Sequence, residues 1–226
     1  MATIVFDLDG TLADTSGDLI AAANAVLSGL GNAGLLCFQQ DRETAFHGGR
    51  AMLTLGYQRL GLDPDSDTRN VHYDALLNAY GAAMDVHTQL FPGVEASLDR
   101  LLAAGHRLAV CTNKMSGHAE TLLGLLGIAD RFGAVVGADT LPVRKPDPAP
   151  YVEAVARAGG TGQPSLLIGD TDTDLKTARA AGVPCVLVTF GPAGERVGAL
   201  EPDALLNHYD ALPDLVGRLL SVKAER

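Results

Sequence analysis

From Phe91-Pro92-Gly93 onward, apolar runs of strand length alternate with longer amphipathic runs, and few folds accept that pattern. The spacing predicts helices over 94–104, 116–126, 148–158 and 174–181, and strands over 107–111, 134–137, 165–169 and 184–188. A short strand near Ala204-Leu205-Leu206 and a helix near 212–220 close the series. Strands separated by helices of this length build βαβ units and a parallel sheet. Such crossovers are almost always right-handed, so the expected fold is α/β: a three-layer, doubly wound (Rossmann-like), mostly parallel sheet. One further strand belongs to it. Thr3-Ile4-Val5-Phe6 is rich in β-branched and aromatic side chains, and a lone strand cannot bury both of its faces.

The stretch from Thr11 to about Ala83 reads as helical. Ser16 or Asp18 caps a helix over Leu19, Ile20, Ala23, Val26, Leu27 and Leu30. Asp41 starts a short helix, which His47-Gly48-Gly49 breaks. Met52, Leu53, Leu55, Tyr57 and Leu60 line the next helix, and Val71, Leu76, Leu77 and Tyr80 the last. No strand pattern interrupts them. Residues 15–85 are therefore expected to form a helical cap domain inserted after the first strand, with 1–14 and 86–226 as the Rossmann-like core.

With 226 residues, 47% of them apolar, the chain can bury a substantial core. A net charge of −10 works against nucleic acid and against an anionic membrane as partners. No apolar run reaches the length of a bilayer span, and the opening residues carry no signal-like region, so no membrane partner and no leader are expected. Cys37, Cys111 and Cys185 are far apart and odd in number, which reads as reduced structural thiols and a cytoplasmic setting. The assembly is left open between monomer and homodimer.

In open parallel sheets ligands bind beyond the carboxyl ends of the strands. The first strand ends in Asp7 and Asp9, which alternation sends to the same side. The next ends in Thr112-Asn113, the loop after the third carries Lys145-Pro146, and the fourth ends in Gly169-Asp170-Thr171. Like charges at one edge repel, and a bound cation or a shared proton relieves them. Asp7, Asp9 and Asp170 supply the hard oxygens that Mg²⁺ prefers. Asp174, one turn beyond Asp170, is placed to hold a metal-bound water or Lys145. Gly10, Thr112, Asn113 and Lys145 are candidates to surround phosphoryl oxygens, since phosphoryl transfer needs mainly positioning and charge neutralisation. A carboxylate is a competent nucleophile toward phosphorus, and a second one two residues on can shuttle the proton.

Asp7-Leu8-Asp9-Gly10-Thr11, Thr112-Asn113, Lys145-Pro146 and Gly169-Asp170-Thr171-Asp172-Thr173-Asp174 together resemble the four motifs of the haloacid dehalogenase-like phosphatases, in order. The resemblance covers the first strand and about 91–210, and the helical insert resembles the cap of that superfamily's first subclass. It implies Asp7 as nucleophile, Asp9 as general acid/base, and Mg²⁺ held by the Asp7 side chain, the Asp9 main-chain carbonyl and Asp170. Relatives that cleave carbon–halogen or carbon–phosphorus bonds lack an Asp at the place of Asp9, so phosphate-ester chemistry is implied. The stretches Cys111-Thr112-Asn113-Lys114, Ala138 to Pro148, and Ala180-Ala181-Gly182-Val183-Pro184 resemble the phosphoglycolate phosphatases. The implied substrate is a small phosphate ester, 2-phosphoglycolate, hydrolysed through an aspartyl-phosphate.

Substrate selectivity is expected from the insert, with His47, Gly48, Gly49 and Arg50 facing the phosphate pocket and Arg50 placed to bind a carboxylate. Against that stands Arg50 as a solvated residue in the first turn of its helix. Asp172 reads as a surface residue, and Lys114 and Arg144 as residues that tune local potential. His87, His106, His118 and His208 lack metal-ligand spacing. Two rivals remain: a phosphosugar mutase of the same superfamily, and a non-catalytic phosphate-binding protein on the same fold.

Overall fold

A computed structural model describes residues 1–31 and 33–223. The strands are β1 (Thr3–Phe6), β2 (Ala13–Asp14), β3 (Gln89–Leu90), β4 (Arg107–Cys111), β5 (Ala134–Val136), β6 (Ser165–Gly169), β7 (Cys185–Val188) and β8 (Ala204–Leu206). The α-helices are α1 (Ser16–Ser28), α2 (Phe38–Ala45), α3 (Gly49–Leu60), α4 (Ser66–Ala82), α5 (Val94–Ala103), α6 (Ser116–Leu125), α7 (Ala149–Arg157), α8 (Asp172–Ala181) and α9 (Leu212–Lys223). Two compact units result: Met1–Ala13 with the chain from Leu90 onward, and Asp14–Gln89.

The first unit is built on a six-stranded sheet in the order β5-β4-β1-β6-β7-β8, every pairing parallel. This is the doubly wound α/β sheet the alternation predicts. β1 lies between β4 and β6, with Thr3 opposite both Arg107 and Ser165. Its four residues are all buried, which explains an apolar run with no polar alternation. Val5, Ala109, Cys111, Leu167, Cys185 and Leu187 pack on one face against Tyr151 and Ala154 of α7 and Leu175 and Ala178 of α8. Ile4, Phe6, Leu108, Val110, Leu166 and Ile168 alternate to the other face and are equally buried. From β1 the chain order runs outward through β4 and β5 on one side and β6 to β8 on the other. The carboxyl end of β1 is therefore the switch point where such sheets bind ligands.

The second unit holds α1 to α4. Gly56 of α3 lets α1 come close, because a Cβ there would stand 2.3 Å from Leu27 Cδ1. Two buried carboxylates organise it. Asp18 accepts hydrogen bonds from the His87 and Thr88 N–H groups and the Thr88 hydroxyl. Asp41 accepts from the Cys37 N–H and from both Nη atoms of Arg59, at 2.8 and 2.6 Å.

Two helix starts and one helix face differ from expectation for local reasons. α2 starts at Phe38, because Asp41 caps it from inside by accepting the Cys37 N–H. α8 starts at Asp172, because the Asp174 carboxylate accepts the Thr171 N–H. Val71, read as part of the apolar stripe of α4, is exposed, and the stripe narrows to Leu76 and Tyr80.

Candidate active site

The ladder between β1 and β6 runs one residue past β1, with the Asp7 N–H donating to Ile168 O at 2.8 Å. That bond fixes Asp7 at the switch point. The chain then turns sharply: the Leu8 carbonyl accepts from the Leu12 and Ala13 N–H groups at 2.9 and 3.1 Å. Leu8 plugs into the core while Asp7 and Asp9 alternate away from it, Asp7 enclosed and Asp9 partly open.

Lys145, from the loop after β5, reaches this point as a buried ammonium. Its Nζ donates to Asp174 Oδ1 at 2.7 Å. It also stands 3.0 Å from Asp7 Oδ1, a charge contact whose angle falls outside a hydrogen bond. Asp174 is fully used: Oδ2 accepts from the Thr171 hydroxyl at 2.7 Å and from the Thr171 N–H. Gly169 makes room for it, since a Cβ there would lie 2.3 Å from Asp174 Cγ. The expectation that Asp174 holds Lys145 agrees with these contacts.

Asp170 is the opposite case. Oδ1 accepts from the Thr11 hydroxyl at 3.2 Å, while Oδ2 is buried and has no hydrogen-bond partner. Carboxylate oxygens of Asp7, Asp170 and Asp174 lie within 4.8 Å of one another. Three carboxylates against the one ammonium of Lys145 leave an excess of two negative charges when all are ionised. That excess and the orphaned Oδ2 fit a divalent cation with hard oxygen ligands. Titration points the same way. Burial pushes Asp7 up to about 6, with Lys145 opposing and Asp174 and Asp9 adding to the rise. Burial, then Asp174 and Asp7, raise Asp170 well above the usual carboxylate range. Burial alone would depress Lys145, but Asp174 and Asp7 drive it upward, so it stays charged. Cys111, whose thiol burial pushes up to about 12, is no nucleophile here.

Gly10 is buried in the turn after β1 and Thr112 is buried at the end of β4. The Asn113 amide donates to Lys145 O at 3.0 Å, tying the two loops together. His47, Gly48, Gly49 and Arg50 lie in the second unit, at the start of α3. There the Arg50 guanidinium stacks over Tyr73 at 4.0 Å and donates to Asn70. Asp172 is exposed and pairs with Lys176. Three contacts were not anticipated. Thr11 bonds Asp170, the Tyr209 hydroxyl donates to Thr11 O at 2.9 Å, and Lys114 Nζ stands 2.7 Å from Asp9 Oδ1. Thr11 closes the first motif and Lys114 follows the second, so both are marked in the sequence by their place. Nothing local marks Tyr209.

A family model for haloacid dehalogenase-like hydrolases matches residues 4–188. The chain is 37% identical over 225 residues to a phosphoglycolate phosphatase of Mesorhizobium japonicum, covering 96% of each protein. It is 37% identical over 220 residues to that of Caulobacter vibrioides, covering 97% of this chain and 92% of the relative. A crystal structure of a predicted phosphoglycolate phosphatase from Haemophilus somnus 129pt shares the fold, with a TM-score of 0.83 at 24% identity over 96% of this chain and 98% of that one. The match spans β1 through β7 and takes in every strand end from which these carboxylates and Lys145 project, and on that ground the chain belongs to the haloacid dehalogenase-like hydrolases.

Proposed function

We propose that this protein is a Mg²⁺-dependent phosphomonoesterase that hydrolyses 2-phosphoglycolate to glycolate and phosphate. The observation that carries the proposal is the meeting of Asp7, Asp170, Asp174 and Lys145 at the switch point, with more negative charge than the ammonium neutralises. The substrate is supported by the relatives, which are phosphoglycolate phosphatases along nearly their whole length.

The Asp7 side chain, the Asp9 main-chain carbonyl and Asp170 would hold the cation. When bound, it would neutralise negative charge on the transferring phosphoryl group. Lys145 supplies a fixed positive charge beside Asp7, held in place by Asp174 and never lost to titration near neutral pH. Asp7 attacks phosphorus, and the bond to the ester oxygen breaks. Asp9 gives that oxygen a proton, so glycolate leaves as an alcohol. Asp9 then takes a proton from water, which attacks phosphorus and frees Asp7. Thr11 holds Asp170 so that Oδ2 remains available.

The test is phosphate release from a panel that includes 2-phosphoglycolate and a hexose phosphate, with Mg²⁺ and with a chelator. The highest kcat/KM is expected for 2-phosphoglycolate, and the chelator is expected to stop release. Absence of Mg²⁺-dependent release from every ester would overturn the proposal, and an isomerised hexose phosphate would replace it with a mutase.

A further inference from the structure

Lys114 is a charged residue at this site to which the phosphoryl chemistry assigns no task. Its side chain is 11% exposed and its Nζ stands 2.7 Å from Asp9 Oδ1. The backbone beneath it is fixed at several points. The Lys114 N–H donates to Thr112 Oγ1 at 3.2 Å, and its carbonyl accepts from the Ala138 N–H at 2.9 Å. The Ser116 N–H donates to Asp139 Oδ1 at 2.7 Å. Gly137 lets the turn close, for a Cβ there would lie 2.8 Å from Lys114 O and 2.4 Å from Ser116 N. A turn constrained this fully aims one ammonium at Asp9.

We propose that Lys114 determines substrate specificity by binding a carboxylate on the carbon next to the ester oxygen. The inference rests on the phosphomonoesterase reading, with Asp9 at the leaving oxygen. A group that protonates that oxygen must lie against it. Lys114 is one hydrogen bond from Asp9, so it reaches atoms one or two bonds beyond the oxygen. In the phosphate ester of a 2-hydroxy acid, the carboxylate carbon is two bonds away. The Lys114 ammonium exchanges Asp9 for the substrate carboxylate, and Asp9, once it has taken a proton from solvent, is free to pass it to the leaving oxygen. An ester without that carboxylate offers no exchange, so Asp9 stays paired and the penalty falls on kcat/KM. Lys145 is not suited to this task, being committed to Asp7 and Asp174. Arg50, the reader expected from sequence, has its guanidinium engaged by Tyr73 and Asn70.

The experiment compares kcat/KM for 2-phosphoglycolate and for 2-hydroxyethyl phosphate, which keeps the chain length and lacks the carboxylate. It uses the unaltered protein, Lys114→Met, Lys114→Gln as a second neutral variant, Lys114→Arg and Arg50→Gln, each checked for folding by circular dichroism. The preference for the acid is expected to fall about 100-fold in either neutral variant, as for loss of an enclosed charge pair. It should return in Lys114→Arg and persist in Arg50→Gln. Equal losses on both esters would reduce Lys114 to a partner of Asp9 and overturn the proposal. So would an unchanged preference in the neutral variants, or a preference that collapses in Arg50→Gln. Release from both esters with no preference in the unaltered protein would overturn this inference alone. Release from neither would instead remove the phosphomonoesterase reading beneath it.

Discussion

Each unit of this protein buries aspartates, and two pairs, Asp18 with Asp41 and Asp7 with Asp170, one from each unit, are treated in opposite ways. In the second unit, Asp18 and Asp41 are 1% and 2% exposed, and both meet a full complement of donors. The Arg59 hydrogen bonds hold Asp41 below its ordinary range. In the first unit, Asp7 and Asp170 are 9% and 1% exposed, and burial raises both. Asp170 keeps an oxygen with no hydrogen-bond partner. Burial therefore does not separate the two pairs; hydrogen-bond satisfaction does. A buried charge with all its partners serves architecture, and one short of partners is kept for something that arrives from outside.

The contrast predicts effects of opposite kind. Asp7→Asn is expected to lower kcat by 10⁴-fold or more, on the order of what removing a nucleophile costs. In the chelated protein the same change should raise the melting temperature slightly, because one uncompensated buried charge is gone. A large loss of stability together with activity would place Asp7 among the architectural residues and break the comparison. Asp170→Asn should raise the Mg²⁺ concentration for half-maximal activity by about 10- to 100-fold. Calorimetric titration with Mg²⁺ gives an independent reading of that shift. Unaltered Mg²⁺ binding would show that its open oxygen is not kept for the cation.

Asp41→Asn should do the reverse, costing about 2 kcal/mol, since Arg59 is 30% exposed and water recovers part of the loss. A fall in melting temperature of about 4–8 °C would follow for a chain of this size. The smallest effect is on pH. Because Asp41 is depressed in the folded state, its stabilisation is fully present above its unfolded pKa of about 3.9 and is lost as pH falls through the lower folded value. Denaturant midpoints of the unaltered protein and Asp41→Asn should therefore converge below about pH 4. Curves that stay parallel there would show that the carboxylate charge is not what matters.

These two uses of aspartate also mark what a linear chain can disclose. The order of strands and helices from Phe91 onward was legible because period and length distinguish them, and β4, β6 and β8 fall where the pattern places them. The motif residues were legible because they sit at strand ends, which sheet topology brings together. The starts of α2 and α8 were not, because each depends on one aspartate turning back to accept an N–H preceding the helix. The short pair β2 and β3 was missed because two residues are too few to show alternation. Tyr209 could not have been found, for its link to Thr11 is made by folding alone. Lys114 reads in the sequence only as a residue tuning local potential, since a lysine beside a motif is ordinary until folding supplies its partner, Asp9.

The central claim is that Asp7 forms a covalent bond to phosphorus at the switch point. The most direct measurement is an acid-quenched single turnover with ³²P-labelled 2-phosphoglycolate and Mg²⁺, followed by peptide mapping. Label is predicted on the peptide that contains Asp7, removable by hydroxylamine and absent in Asp7→Asn. Turnover that proceeds with no label on that peptide, or with label elsewhere in the chain, would contradict the claim.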